Sequence, residues 1–254
     1  MQHRLPSRLH GAGQRALSLL AVVAVWGLAA MLADSRFLPG PAEVAASMYG
    51  YAIDDDLILQ VGNTLVRVAF SFSIAMTAGI AIGLAMGSSR RINAMLDGAL
   101  LVGLNIPALV IIILCFVWLG LNELAVITAV VINKIPIVVV TMREGARAID
   151  RDLLQVADVF RLSPRRTFFK VYLPQLYPYV MISARTGLAL IWKIVLVVEL
   201  LGSSNGIGFK LGVFFQFFDI TGILAYSFGF IAVIMAIEFL LLSPLDRKIA
   251  AWRS

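Results

Sequence analysis

Six apolar runs of roughly 20 residues, almost free of charge, recur along this chain and restrict its fold more tightly than any other feature. They cover 16–33, 64–87, 98–119, 124–142, 177–201 and 223–242. A helix of about 20 residues is about 30 Å long, the thickness of a bilayer's hydrocarbon core. Backbone polar groups in that core must be satisfied within the protein, so runs of this kind cross as helices. The chain is 60% hydrophobic and 14% charged, against about half and a quarter in soluble domains. These runs predict an all-α polytopic membrane protein with six transmembrane helices.

The positive charges orient those helices, because Lys/Arg-rich loops stay in the cytoplasm. Arg4, Arg8 and Arg15 precede the first run, Arg90 and Arg91 follow the second, and Arg247, Lys248 and Arg253 follow the sixth. Between the fourth and fifth runs lie Arg143, Arg147, Arg151, Arg161, Arg165, Arg166 and Lys170. The opposite side has only Arg36 and Lys210, beside Asp54, Asp55 and Asp56. Both termini are therefore expected in the cytoplasm, with 1–15 as a tail and 16–254 as the membrane domain. The net charge of +6 is accounted for by topology, and no nucleic-acid partner is implied.

A cleaved signal peptide is the rival reading of the first run. Its apolar core exceeds the usual 7–15 residues, and a cut after Ala33 would put the bulky Met31 at the −3 position. The lone Cys115 lies in an apolar run and reads as a packing residue. The two histidines, His3 and His10, are both in the tail, so no metal site and no catalytic constellation is expected.

Ala75, Gly79, Gly83 and Gly87 repeat at every fourth position of the second run, a spacing that lets helices approach closely. Pro107 and Pro136 interrupt the third and fourth runs near Asn105 and Lys134. Broken helices with polar groups at membrane depth mark permeation paths or plain kinks. The glycine-rich 202–208 is followed by no Lys-Ser/Thr, so it lacks what a phosphate loop needs. It reads as an extracytoplasmic turn, with 209–218 dipping back as an interfacial helix.

The connection 143–176 is far longer than two helices need. Asp152 with Gln155 resembles a capping box, and Leu153, Val156, Ala157 and Phe160 then form one helical stripe. Ser163-Pro164 starts a second helix, carrying Arg165, Arg166 and Lys170 beside Phe168, Phe169 and Tyr172, with Leu173-Pro174 expected to end it. A basic interfacial helix on anionic lipid explains the second helix. The first, whose stripe has no basic counterface, calls for a protein partner.

This segment resembles the coupling loop of permeases of ABC importers, whose pattern is Glu-Ala-Ala, three residues, Gly, then a distal Leu-Pro. Gln155-Val156-Ala157 takes the Glu-Ala-Ala places and Arg161 the glycine place, aligned on Leu173-Pro174. A non-glycine residue at φ > 0 costs about 1 kcal/mol, so an altered turn is expected at Arg161. Further segments are similar to the nitrate/sulfonate/taurine-type permeases in the same order. They are Phe37-Leu38-Pro39-Gly40-Pro41, Asn63-Thr64-Leu65-Val66-Arg67, the basic end of the second run (83–91), Asn105-Ile106-Pro107, the turn 118–124, and 199–208 from Glu199 to Gly208.

The resemblance implies a type I ABC importer permease in the bacterial cytoplasmic membrane. Two permease copies would form the channel, and an extracytoplasmic binding protein would deliver the solute. An ATP-binding subunit, carrying ATP and Mg, would grip Leu153, Gln155, Val156, Ala157, Phe160, Arg161, Leu162, Ser163 and Pro164. This chain itself would bind no cofactor, perform no covalent chemistry, and contact lipid.

For the solute path, Arg185, Ala189, Trp192, Leu196 and Glu199 share one face of the fifth run, with Lys193 about 100° round. Arg67, Asn105, Lys134, Trp192, Lys193 and Glu199 are the candidate lining residues. Arg67, Lys134 and Lys193 would favour a small anion such as nitrate, a sulfonate or taurine, or would pair with Glu199, Glu123 or Glu238. The aromatic residues would equally admit a heterocycle such as a pyrimidine or riboflavin. An ion-gradient-driven carrier would show an inverted repeat, which the sequence lacks, and would not need the long loop.

Overall fold

The computed structural model of the chain describes residues 7–242, and these are helices joined by turns. In order they are α1 (Ser7–Ala33), α2 (Pro41–Ile53), α3 (Leu57–Ser88), α4 (Arg90–Asn105), α5 (Ala108–Leu119) and α6 (Glu123–Arg147). Then follow α7 (Arg151–Val159), α8 (Pro164–Thr167), a π turn (Phe168–Tyr172), α9 (Leu173–Gly202), α10 (Ile207–Gln216), α11 (Ile220–Ile237) and a second π turn (Glu238–Leu242). The tail arginines and 243–254 lie outside the described residues, apart from the backbone from Ser7 onward.

Four helical runs are long and apolar enough to cross a membrane: Leu57–Ser88, Glu123–Arg147, Pro164–Gly202 and Ile220–Leu240. The third window is not the single span expected for 98–119. It is two helices, α4 and α5, bent by 98°, and would be a fifth crossing if the pair is counted as one. Pro107 causes the bend: it has no N–H to donate and pushes Ile106 into extended backbone at φ −68°, ψ 127°. The apolar part of α1, Leu17–Ala33, is only about 25 Å long at 1.5 Å per residue.

The second helix of the long connection also departs from expectation, because Leu173-Pro174 does not end it. The chain passes through the π turn, with the Leu173 N–H donating to the Phe168 carbonyl, and continues as one 39-residue run from Pro164 to Gly202. Pro174, which has no N–H to donate, directly follows the π turn within this run.

The chain divides into two packed units, one of 7–60 with 210–242 and one of 61–209. In the second unit the small-residue row of α3 is used within the protomer, against α6. A Cβ on Gly79 would lie 2.6 Å from the Val138 side chain, and one on Gly83 would lie 2.6 Å from Met142. Gly87 meets Ala146 as closely, so only glycine permits this approach. On the other side of α6, Gly145 admits the Tyr179 ring and Gly187 admits Lys134. Arg143 bonds Asp97 at 2.7 Å and Arg147 bonds Asn93 at 2.8 Å, fastening the end of α6 to α4.

In the first unit α2 packs on α11. Tyr51, Phe214 and the fully buried Tyr226 form a ring cluster with centroids 5.0–5.7 Å apart. Asp56 accepts from the Tyr226 hydroxyl at 2.7 Å, from Gln60 Nε2 at 2.7 Å, and pairs with Lys210 Nζ at 2.9 Å. Trp26 Nε1 donates to the Pro39 carbonyl at 3.1 Å, holding α1 to the turn after it.

Candidate functional site

The α7 segment is a short helix fixed at both ends. Its N-cap is Asp150 rather than Asp152: the Asp150 carboxylate accepts from the Asp152 N–H at 2.8 Å. The Asp150 N–H in turn donates to Gln175 Oε1 at 2.8 Å, tying the helix start to α9. At the other end Arg161 adopts φ +49°. The Arg161 N–H donates to the Asp158 carbonyl at 2.9 Å and the Leu162 N–H to the Ala157 carbonyl at 3.0 Å. These are the two bonds of a Schellman turn. The left-handed turn expected to change at Arg161 is therefore kept, with arginine carrying the strain a glycine would avoid.

Ser163 caps the following helix, accepting from the Arg166 N–H at 3.4 Å, with Pro164 at its first position. Of the predicted stripe only Ala157 turns inward, 2% exposed. Leu153, Val156 and Phe160 face outward, joined by Val159, and Phe160 is 74% exposed. Gln155 and Arg161 are exposed and Leu162 is half-buried. Beside them Leu84, Ser88, Asp158, Leu162, Phe168 and Tyr172 line an open cleft of about 660 Å³.

A second cluster forms where three segments distant in sequence meet. All five guanidinium N–H groups of Arg67 are taken. Nε and Nη2 engage the Glu123 carboxylate, Nη1 donates to Glu199 Oε1 at 2.7 Å, and both Nη groups reach the Asn205 carbonyl and side chain. Glu199 is fully buried and its second oxygen accepts from Thr64 Oγ1 and the Gly208 N–H, each at 2.9 Å. The Thr64 hydroxyl accepts in turn from the Ile207 N–H at 2.9 Å. Gly206, at φ +101°, passes so close to the Glu199 carboxylate that no Cβ fits. The glycine-rich 202–208 thus wraps a carboxylate of its own chain.

The candidate path residues do not assemble into one lining. Arg67 and Glu199 meet in the cluster just described, where internal pairing holds Arg67. Lys134 is fully buried on α6, and Trp192 is buried on α9 at 8% exposure. Lys193 is exposed, and Asn105, also exposed, donates to the Leu101 carbonyl of its own helix at 2.7 Å. Sequence reasoning missed Thr64 and Asn205 as partners of this cluster. Thr64, Arg67 and Ser71 follow one another at helical spacing on one face of α3, a polar stripe inside an apolar run that was there to be read.

Fold and site define an all-helical membrane protein with one long, structured connection that presents an apolar face. The chain belongs to the family of inner membrane components of binding-protein-dependent transport systems, whose family model matches residues 75–245. It is a non-catalytic membrane subunit of an ABC importer, located in the inner membrane. Such membership implies an ATP-binding subunit and a binding protein as partners.

Among its relatives is the putative aliphatic sulfonates transport permease protein SsuC of Bacillus subtilis, 27% identical over 98% of this chain and 91% of that protein. The nitrate import permease protein NrtB of Synechocystis is 30% identical over 76% of this chain and 74% of its own length. A chain from the inward-facing MetNI methionine ABC transporter superimposes with a TM-score of 0.62, covering 77% of this chain and 95% of that one, at 16% identity.

Proposed function

We propose that the chain forms the translocation path for a small anion, such as a sulfonate or nitrate, with two copies making the channel and six crossings per copy. The first crossing is α1 and the third is the bent pair α4–α5. Both termini and the 143–176 connection then lie in the cytoplasm, in keeping with the distribution of Lys and Arg. Two relatives are named for aliphatic sulfonates and for nitrate, and both are anions.

The observation that carries the reading is the outward face of α7. Leu153, Val156, Val159 and Phe160 stand exposed on a helix held rigid by the Asp150 cap and the Arg161 turn. A pre-ordered apolar helix face fits a groove on a partner without further ordering cost. The partner is the ATP-binding subunit, which carries ATP and Mg; its closure pushes α7. The push passes into the continuous run Pro164–Gly202, which ends at the Glu199 cluster.

Co-expression with its ATP-binding subunit tests this reading. Phe160→Asp should abolish co-purification and anion uptake while leaving the chain folded. Uptake that persists after deletion of 155–161 with no ATPase present would overturn it. Uptake of a neutral heterocycle, and of no anion, would overturn the substrate class alone.

A further inference from the structure

The buried polar groups of α3, α6 and α9 do not all find partners. Among the described residues Lys134 Nζ, Ser71 Oγ and Ser183 Oγ are buried and bonded to nothing, and all three residues are 0% exposed. Other hydroxyls on these helices behave differently. Ser73, Thr77, Thr141 and Thr186 each donate to the carbonyl four residues back, at 2.7–3.1 Å. Ser71 and Ser183 make no such bond, so their hydroxyls remain available.

Packing places the two serines on either side of the lysine. Gly79 faces Val138, Gly83 faces Met142 and Gly87 faces Ala146, so the same step of four sets Ala75 opposite Lys134. On the far side Gly187 makes room for the lysine: a Cβ there would lie 2.7 Å from Lys134 Cε and 2.8 Å from Nζ. α9 runs opposite to α6, since Gly145 faces Tyr179 while Lys134 faces Gly187. Ser71, one turn before Ala75, and Ser183, one turn before Gly187, therefore flank the lysine along the helix axis, each about 6 Å away.

The arrangement offers one ammonium and two hydroxyls and contains no carboxylate to balance the charge. The buried carboxylate Glu199 and its neighbour Glu123 are bound to Arg67. A bare ammonium inside a membrane bundle is costly without a counter-charge. We propose that Lys134, with the hydroxyl of Ser71 or of Ser183 as second donor, forms a binding site for one small monovalent anion inside the protomer core, since an anion can bridge the lysine to one hydroxyl about 6 Å away and not to both. This site is separate from the Arg67 cluster, and its existence does not depend on what the transporter carries. The anion is either a resident chloride or a transported anion in passage.

The test is thermal unfolding of the full chain in nanodiscs, titrated with chloride or nitrate against gluconate at constant ionic strength. Wild type should show a saturable rise of a few degrees. Lys134→Met, of similar volume, should lose it, Lys134→Arg should retain it, and Ser71→Ala with Ser183→Ala should shift the midpoint to several-fold higher anion. A wild type without anion dependence, or an undiminished dependence in Lys134→Met, overturns the proposal and leaves the importer reading untouched. Should Lys134→Met fail to fold, the serine pair decides by the same criterion. With the site supported, uptake by the assembled transporter separates the two sources: unchanged uptake in Lys134→Met means a resident ion, and lost uptake means passage.

Discussion

Arg161 shows at residue scale how far one side chain bends a local rule. A left-handed non-glycine residue costs about 1 kcal/mol, yet the Schellman bonds around it are intact. Arg161→Gly should leave the turn unchanged and stabilise it slightly, whereas Arg161→Val, β-branched at φ +49°, should disrupt it. The yield of co-purified ATP-binding subunit reads the difference, unchanged in the first variant and reduced in the second.

Arg67 has two carboxylate partners of unequal weight. The Glu199 arm is fully buried and the Glu123 side chain is 58% exposed. Removing one partner of a buried pair costs about 3–5 kcal/mol, and an exposed arm contributes about 1 kcal/mol or less. Thermal unfolding should therefore fall sharply for Arg67→Met and little for Glu123→Gln. Asp56 adds a pH dependence. Burial alone would raise its carboxyl, but hydrogen bonds from Lys210, Tyr226 and Gln60 outweigh this and hold it below the usual carboxylate value. A depressed folded-state value gives stability that is present above the unfolded pKa, about 4, and is lost as pH falls through the folded one. Asp56→Asn should flatten that acid limb of the unfolding curve.

At the scale of elements the glycine row governs α3 against α6. Gly83→Ala must push a methyl into Met142 and the Val139 carbonyl, 2.8 Å away, whereas Gly62 on the same helix has nothing within 4 Å. Gly62→Ala should fold and express as wild type and Gly83→Ala should not, as gel filtration of the extracted chain will show.

Elements of this kind were largely legible in sequence. Apolar runs gave the long helices, and Ser163-Pro164 gave a helix start that the structure reproduces. The misreadings have local causes. Asp150 and Asp152 are both capping residues two positions apart, and only the contact with Gln175, 25 residues on, favours the first. Pro107 was visible, but a proline does not declare whether it kinks a helix or turns it by 98°. The Arg67–Glu199 pair joins residues 132 apart. That pairing is one of the two readings the sequence offers for Arg67, and it holds; no helical period could choose between them.

At the scale of the whole molecule, one long helical run leads from the end of the α7 segment to the Glu199 cluster. Pro164–Gly202 starts just after α7 and is 39 residues long, about 58 Å at 1.5 Å per residue, with Glu199 in its last turn. The π turn at Phe168–Tyr172 gives this shaft a spare residue. A π turn is an α turn with one residue inserted, and here it lies directly before Pro174, which has no N–H to donate. A shaft with one inserted residue is expected to twist at that point more readily than an unbroken α-helix. Deleting Lys170 would remove the spare and leave the flanking faces in register. The expected result is an assembled transporter that still hydrolyses ATP but moves less solute per ATP, measured as the ratio of uptake to phosphate release.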